Sequence, residues 1–169
     1  MAQEIWNKLT QRDKLIGGGA VVVVIAWLIG VLLANVSWSF GIYKSSTNVF
    51  TGLAGGTGIG WLGLLAAIAA IVVIYLKYAP NMKITWPLPV WQILLGLAVV
   101  AAVVSLLILL FTFQNGDLGF TQFEKDAAKA SGESLPSWPI MGWVAAIGML
   151  AGSALMCWGA YQEYVANKA

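Results

Sequence analysis

The residues able to do chemistry are few. Histidine is absent and Cys157 is the single cysteine. The commonest metal ligand, the usual axial ligand of membrane haems and any intramolecular disulfide are therefore missing. Asn115, Asp117, Glu124 and Asp126 are close enough in sequence to offer oxygen ligands to calcium. Yet NGDLG lacks the spacing of a calcium loop and Lys125 and Lys129 are interleaved, so a solvated loop is the better reading. Cys157 sits between Met156 and Trp158 in an apolar run. Palmitoylation favours juxtamembrane cysteines, so this one reads as packing. Trp38 and Tyr43 could form a flat ligand platform, and an aromatic belt at a membrane surface explains them better. Ser105, Thr112 and Ser153 are the few hydroxyls that could line a pore. No catalytic residue, cofactor site or metal site is predicted, and the chain is not read as an enzyme.

What must position these residues is a membrane bundle. Of 169 residues, 60% are hydrophobic and 9% charged, against about 25% charged in soluble domains. The charges are gathered into short stretches between long apolar runs, which predicts four spans at about 15–34, 56–77, 89–113 and 139–161. Outer loops cover 35–55 and 114–138. No Asp, Glu, Lys or Arg is read within any of the four spans, Lys77 marking the end of the second, which argues against a proton-driven pump or antiporter working alone. The expected fold is all-α: an integral membrane four-transmembrane-helix bundle forming a single domain. Residues 1–14, with Ile5 and Leu9 on one face, form a short amphipathic lead. Thr121-x-x-Glu124 is a capping-box pattern, predicting a short loop helix through about Ala130 with Phe120 and Phe123 free to dock.

Small residues recur every four positions. Gly52, Gly56 and Gly60 make one stripe, Ala26, Gly30 and Ala34 a second, and Gly148 with Gly152 a GxxxG. Such faces let helices approach to backbone contact in lipid. Two uses stay open: packing within the bundle, or an interface with a neighbouring subunit. Trp6, Trp38, Trp86, Trp91, Trp138 and Tyr161 lie at the predicted span ends, as membrane-interface anchors.

Six basic residues (Lys8, Arg12, Lys14, Lys77, Lys83 and Lys168) fall on the side of the termini and three (Lys44, Lys125 and Lys129) on the other. The positive-inside rule then puts both termini in the cytoplasm and the loop helix outside a cell membrane. The net charge of +2 is too small to imply a nucleic-acid partner. The opening IWNKLTQRDKLIGGGAVVVVIAWLIG resembles the start of small four-span bacterial membrane proteins, over about 40 residues. That family brings no function with it. The expected role is structural: a scaffold or accessory subunit in contact with lipid, copies of itself or other membrane subunits. The alternatives are an oligomeric channel and a lipid- or pigment-binding subunit.

Overall fold

The computed structural model describes residues 7–40, 43–52, 58–79, 86–115, 118, 120–132 and 135–168. Helix α1 (Gln11–Leu33) leads into a hairpin of β1 (Asn35–Phe40) and β2 (Tyr43–Asn48), then a single turn, α2 (Val49–Gly52). Three more long or short helices follow in the bundle and its loop: α3 (Gly60–Tyr78), α4 (Val90–Gln114) and α5 (Gln122–Ser131). Helix α6 (Ile140–Lys168) closes the chain. Four of them, α1, α3, α4 and α6, are long and apolar enough to cross a membrane. Even the shortest, α3 with 19 residues, reaches about 29 Å against a hydrocarbon core of about 30 Å.

The four long helices form a ring in which α1 packs on α3 and α6, and α4 packs on the same two. Neighbours run antiparallel. Along the α1–α6 seam, Arg12 and Ile16 meet Gly159, Gly19 meets Gly152, and Ala26 meets Gly148. Up-and-down succession of the four long helices produces this ring directly. The seam brings two helix backbones into direct contact. A Cβ built on Gly152 would stand 2.6 Å from the Gly19 carbonyl oxygen, so backbone touches backbone there and only glycine fits. The interior is filled by Ala20, Val23, Ala67, Ala70, Ala98, Ala101, Ile108, Ala145, Met149 and Met156. Small residues on inward faces bring helices close enough for dispersion contacts to accumulate, which is what holds helices together where lipid is as apolar as leucine.

Several boundaries differ from the sequence expectation. Helix α1 starts at Gln11 because Thr10 caps it, its side chain accepting from the Asp13 amide. Helix α3 starts at Gly60, so Gly52 and Gly60 belong to different helices and do not share one stripe. Helix α6 runs on past Tyr161 to Lys168. The 35–55 loop is not irregular: β1 and β2 pair antiparallel from Asn35↔Asn48 to Phe40↔Tyr43. The alternation Val36, Trp38, Phe40 against Ser37 and Ser39 is a strand pattern. Asn48 fastens the hairpin to the bundle by donating to the Val31 carbonyl at the end of α1 and to the Gly30 carbonyl, which also accepts from the Ala34 amide. Its Oδ1 then accepts from the Thr51 amide and caps α2.

Candidate functional site

The polar chemistry of the bundle gathers at one end, where α1 begins and α3 and α6 finish. Asp13 sits in the first turn of α1 with its side chain 0% exposed. Lys77, in the last turn of α3, donates to both carboxylate oxygens at 3.0 and 3.2 Å. Tyr78 hydroxyl donates to Oδ2 at 2.5 Å and Thr10 hydroxyl to the same oxygen at 2.8 Å. The phenol oxygen in turn accepts from the Thr10 amide at 3.4 Å. Lys77 also reaches Glu163 on α6 at 3.4 Å, and Glu163 accepts from Arg12 at 3.3 Å. Two cations and two anions thus tie three helices together at a single level.

Burying a carboxylate is costly unless it is paired and its lone pairs are used. Here both conditions hold, and Asp13 has four donor contacts from three side chains. A general base needs a lone pair turned to a substrate, and Asp13 has all its contacts turned inward. The cluster is a clamp. Its sequence signal was present and unused: Thr10-x-x-Asp13 has the same cap spacing as Thr121-x-x-Glu124. Starting the first span at residue 15 left Asp13 in a lead-in, and Glu163 fell just past the expected end of the fourth span. The charge-free spans of the sequence reading are therefore corrected: the helices that cross carry Asp13, Lys77 and Glu163 at one end, while their middles remain uncharged.

The stripe residues are spent inside the chain. A Cβ on Gly148 would lie 2.9 Å from that of Ala26, and one on Gly30 would lie 2.5 Å from the Phe50 ring. Gly152 faces Gly19, and Gly60 is buried at the start of α3. Of the two uses open to Ala26, Gly30, Gly148 and Gly152, the structure makes internal packing. Gly52 ends α2, and Gly56 lies outside the described residues.

The anchors divide likewise. Trp6 lies outside the described residues, and Trp38 is placed in β1 by backbone alone. Trp86 is half-buried, and Trp91 packs its ring 5.4 Å from Tyr164, joining α4 to α6 near the clamp. Tyr161 is exposed beside Trp158. Trp138 is no surface anchor: it is 6% exposed, seated over Gly142, where a Cβ would stand 3.1 Å from its Cδ1 and closer still to its Nε1. Phe113 with Trp143 and Trp27 with Trp61 form ring pairs at the far end.

The remaining candidates have local duties. Ser105 and Thr112 are buried and donate to Ala101 and Ile108 carbonyls one turn back, and Ser153 to that of Leu150. Facing the bundle interior and bonded to their own helices, they are not placed to line a pore between subunits. Cys157 packs with its thiol 3.4 Å from the Ala98 carbonyl. Asn115 closes the end of α4 on the Phe111 carbonyl. Glu124 and Thr121 complete the capping box of α5, and Asp126 accepts from Gln122. The Thr121 hydroxyl first, then its amide, hold the Glu124 carboxyl below the ordinary glutamate range. Asp117 lies outside the described residues.

Fold and site together define a helical membrane protein with four helices long and apolar enough to span, whose buried carboxylate, Asp13, is paired within the bundle. Compared with protein-family models, curated proteins and solved structures, the chain finds no match.

Proposed function

We propose that this protein is a structural or accessory subunit of a cell membrane, with both termini cytoplasmic, acting by lateral contact with copies of itself or with other membrane proteins. One observation carries the reading: the buried polar groups of the long helices, Asp13, Ser105, Thr112 and Ser153, are each bonded within the bundle, and the outer wall is mostly apolar. With Gly148 and Gly152 turned inward, the contact face moves to α4. Gly96 there has open space where a Cβ would stand, and Val99, Val100 and Val103 are exposed on the same side. Valine has little rotamer freedom to lose on contact, and glycine lets a second helix come near.

The test is native mass spectrometry of protein released gently from its own membrane, beside a Gly96→Leu, Val103→Leu variant. Multiples of one mass, or a companion polypeptide, lost in the variant would support the reading. A single chain in both cases would end it.

A further inference from the structure

Outside the clamp, a shallow groove of about 450 Å³ runs between the start of α1 and the end of α6. Arg12, Trp158, Tyr161, Gln162, Val165 and Ala166 line it. Its two walls differ in chemistry. On one side stands the Arg12 guanidinium, 41% exposed, steadied from within by Glu163. A guanidinium carries five N–H donors in a planar fork, so the single Glu163 contact leaves donors for an oxyanion outside. On the other side, Trp158 and Tyr161 stand exposed with ring centroids 6.3 Å apart, and Val165 is exposed one turn on. The Arg12 carbonyl lies against Gly159 and its guanidinium reaches Glu163 one turn further on, so the cation lies at the end of the apolar wall while Trp158 and Leu155 continue along it. Cation, phenol and amide at one level, with an indole and aliphatic surface running inward from them, match a molecule with an anionic head and a hydrocarbon tail.

We propose that this groove is a binding site for one anionic phospholipid, its phosphate held by Arg12 with Tyr161 and Gln162, and an acyl chain laid over Trp158. The site is independent of whatever lies beside α4. Charge complementarity selects the occupant: a zwitterionic lipid brings its own ammonium to compete for the phosphate, and an anionic one leaves it to Arg12. Lys8 lies exposed on the chain entering the same end and adds to the attraction.

The full chain in phosphatidylcholine nanodiscs, titrated with phosphatidylglycerol carrying brominated acyl chains, tests this through tryptophan quenching. The difference between native protein and Trp158→Phe isolates Trp158. Brominated phosphatidylglycerol is expected to quench Trp158 at a several-fold lower mole fraction than brominated phosphatidylcholine. Arg12→Gln should raise the half-quenching fraction about tenfold, the loss of one charge-assisted hydrogen bond, and Arg12→Lys should fall between. Equal quenching of the native protein by the two lipids overturns the site, whether or not any variant folds. So does a folded Arg12→Gln protein that keeps the preference. Displacement of the lipid by equimolar inorganic phosphate would show a simple anion site and also overturn it.

Discussion

Replacing Lys77 by methionine should be among the most damaging single changes outside the glycine seam. Methionine matches the lysine stem in length, so packing is nearly kept and the perturbation is electrical. Asp13 is fully buried and would lose two of its four donor contacts, those at 3.0 and 3.2 Å, together with its compensating charge. Tyr78 and Thr10 would still donate, but neither carries a positive charge. Removing one partner of a buried ion pair costs about 3–5 kcal/mol. Glu163 keeps Arg12, so the loss falls mainly on Asp13. A second variant, Asp13→Asn with Lys77→Met, removes both charges and should recover most of that cost, because no uncompensated charge remains. Reversible denaturant unfolding in mixed micelles, followed by near-ultraviolet circular dichroism, measures all three proteins. The reasoning is refuted if Lys77→Met lies within about 0.5 kcal/mol of native, the ordinary range of a surface change. It is refuted equally if the double variant is no more stable than Lys77→Met alone.

The glycines should separate cleanly by position. Gly152→Ala would push a methyl into the Gly19 carbonyl and should cost about 1–3 kcal/mol or more through overpacking. Gly96→Ala meets open space and should be neutral or stabilising by about 0.5–1 kcal/mol. Melting both in one detergent decides it, and similar melting points would mean the seam is looser than described. Helix α5 should loosen in acid. The folded Glu124 carboxyl titrates below its ordinary value, so its stabilising effect is complete above the ordinary glutamate range and disappears as pH falls through the folded value. Hydrogen-exchange protection of α5 amides, corrected for intrinsic rates, should decline across that window and lose its pH step in Glu124→Gln. Ser105→Ala should change stability little, since the hydroxyl bonds only its own helix. A large loss in thermal melting would point to a partner across the bundle.

The sequence made the four spans plain because twenty-residue apolar runs have few other uses. It could not say which way a small residue faces. Gly148 and Gly152 sit at a spacing that serves an internal seam and an intersubunit one equally, and only the position of α1 opposite them decides. The clamp was hidden for another reason. Hydropathy places span limits where charge begins, so Asp13 and Glu163 were trimmed off the helices that hold them. The cap pattern at Thr10 contained the correction, because a helix that starts at Gln11 must carry Asp13 on its first turn. The hairpin was missed because its alternation of aromatic and serine residues also suits a belt at the membrane surface. Trp138 was read by position in the chain, whereas its burial follows from Gly142 four residues on.

The seam between the first and last long helices has a consequence for synthesis. Gly19 and its partner Gly152 are made far apart in time. At roughly 5–20 residues per second, the face of α1 built for backbone contact waits on the order of ten seconds for α6. Asp13 waits less, since Lys77 follows 64 residues later, but it too enters the membrane before its counter-charge exists. Until α6 is released, the nascent protein shows a glycine-lined groove and an ion cluster that still lacks Glu163. A chain broken off before residue 152 shows them permanently. Those exposed features are what a membrane protease or insertase could use to tell an unfinished copy from a finished one.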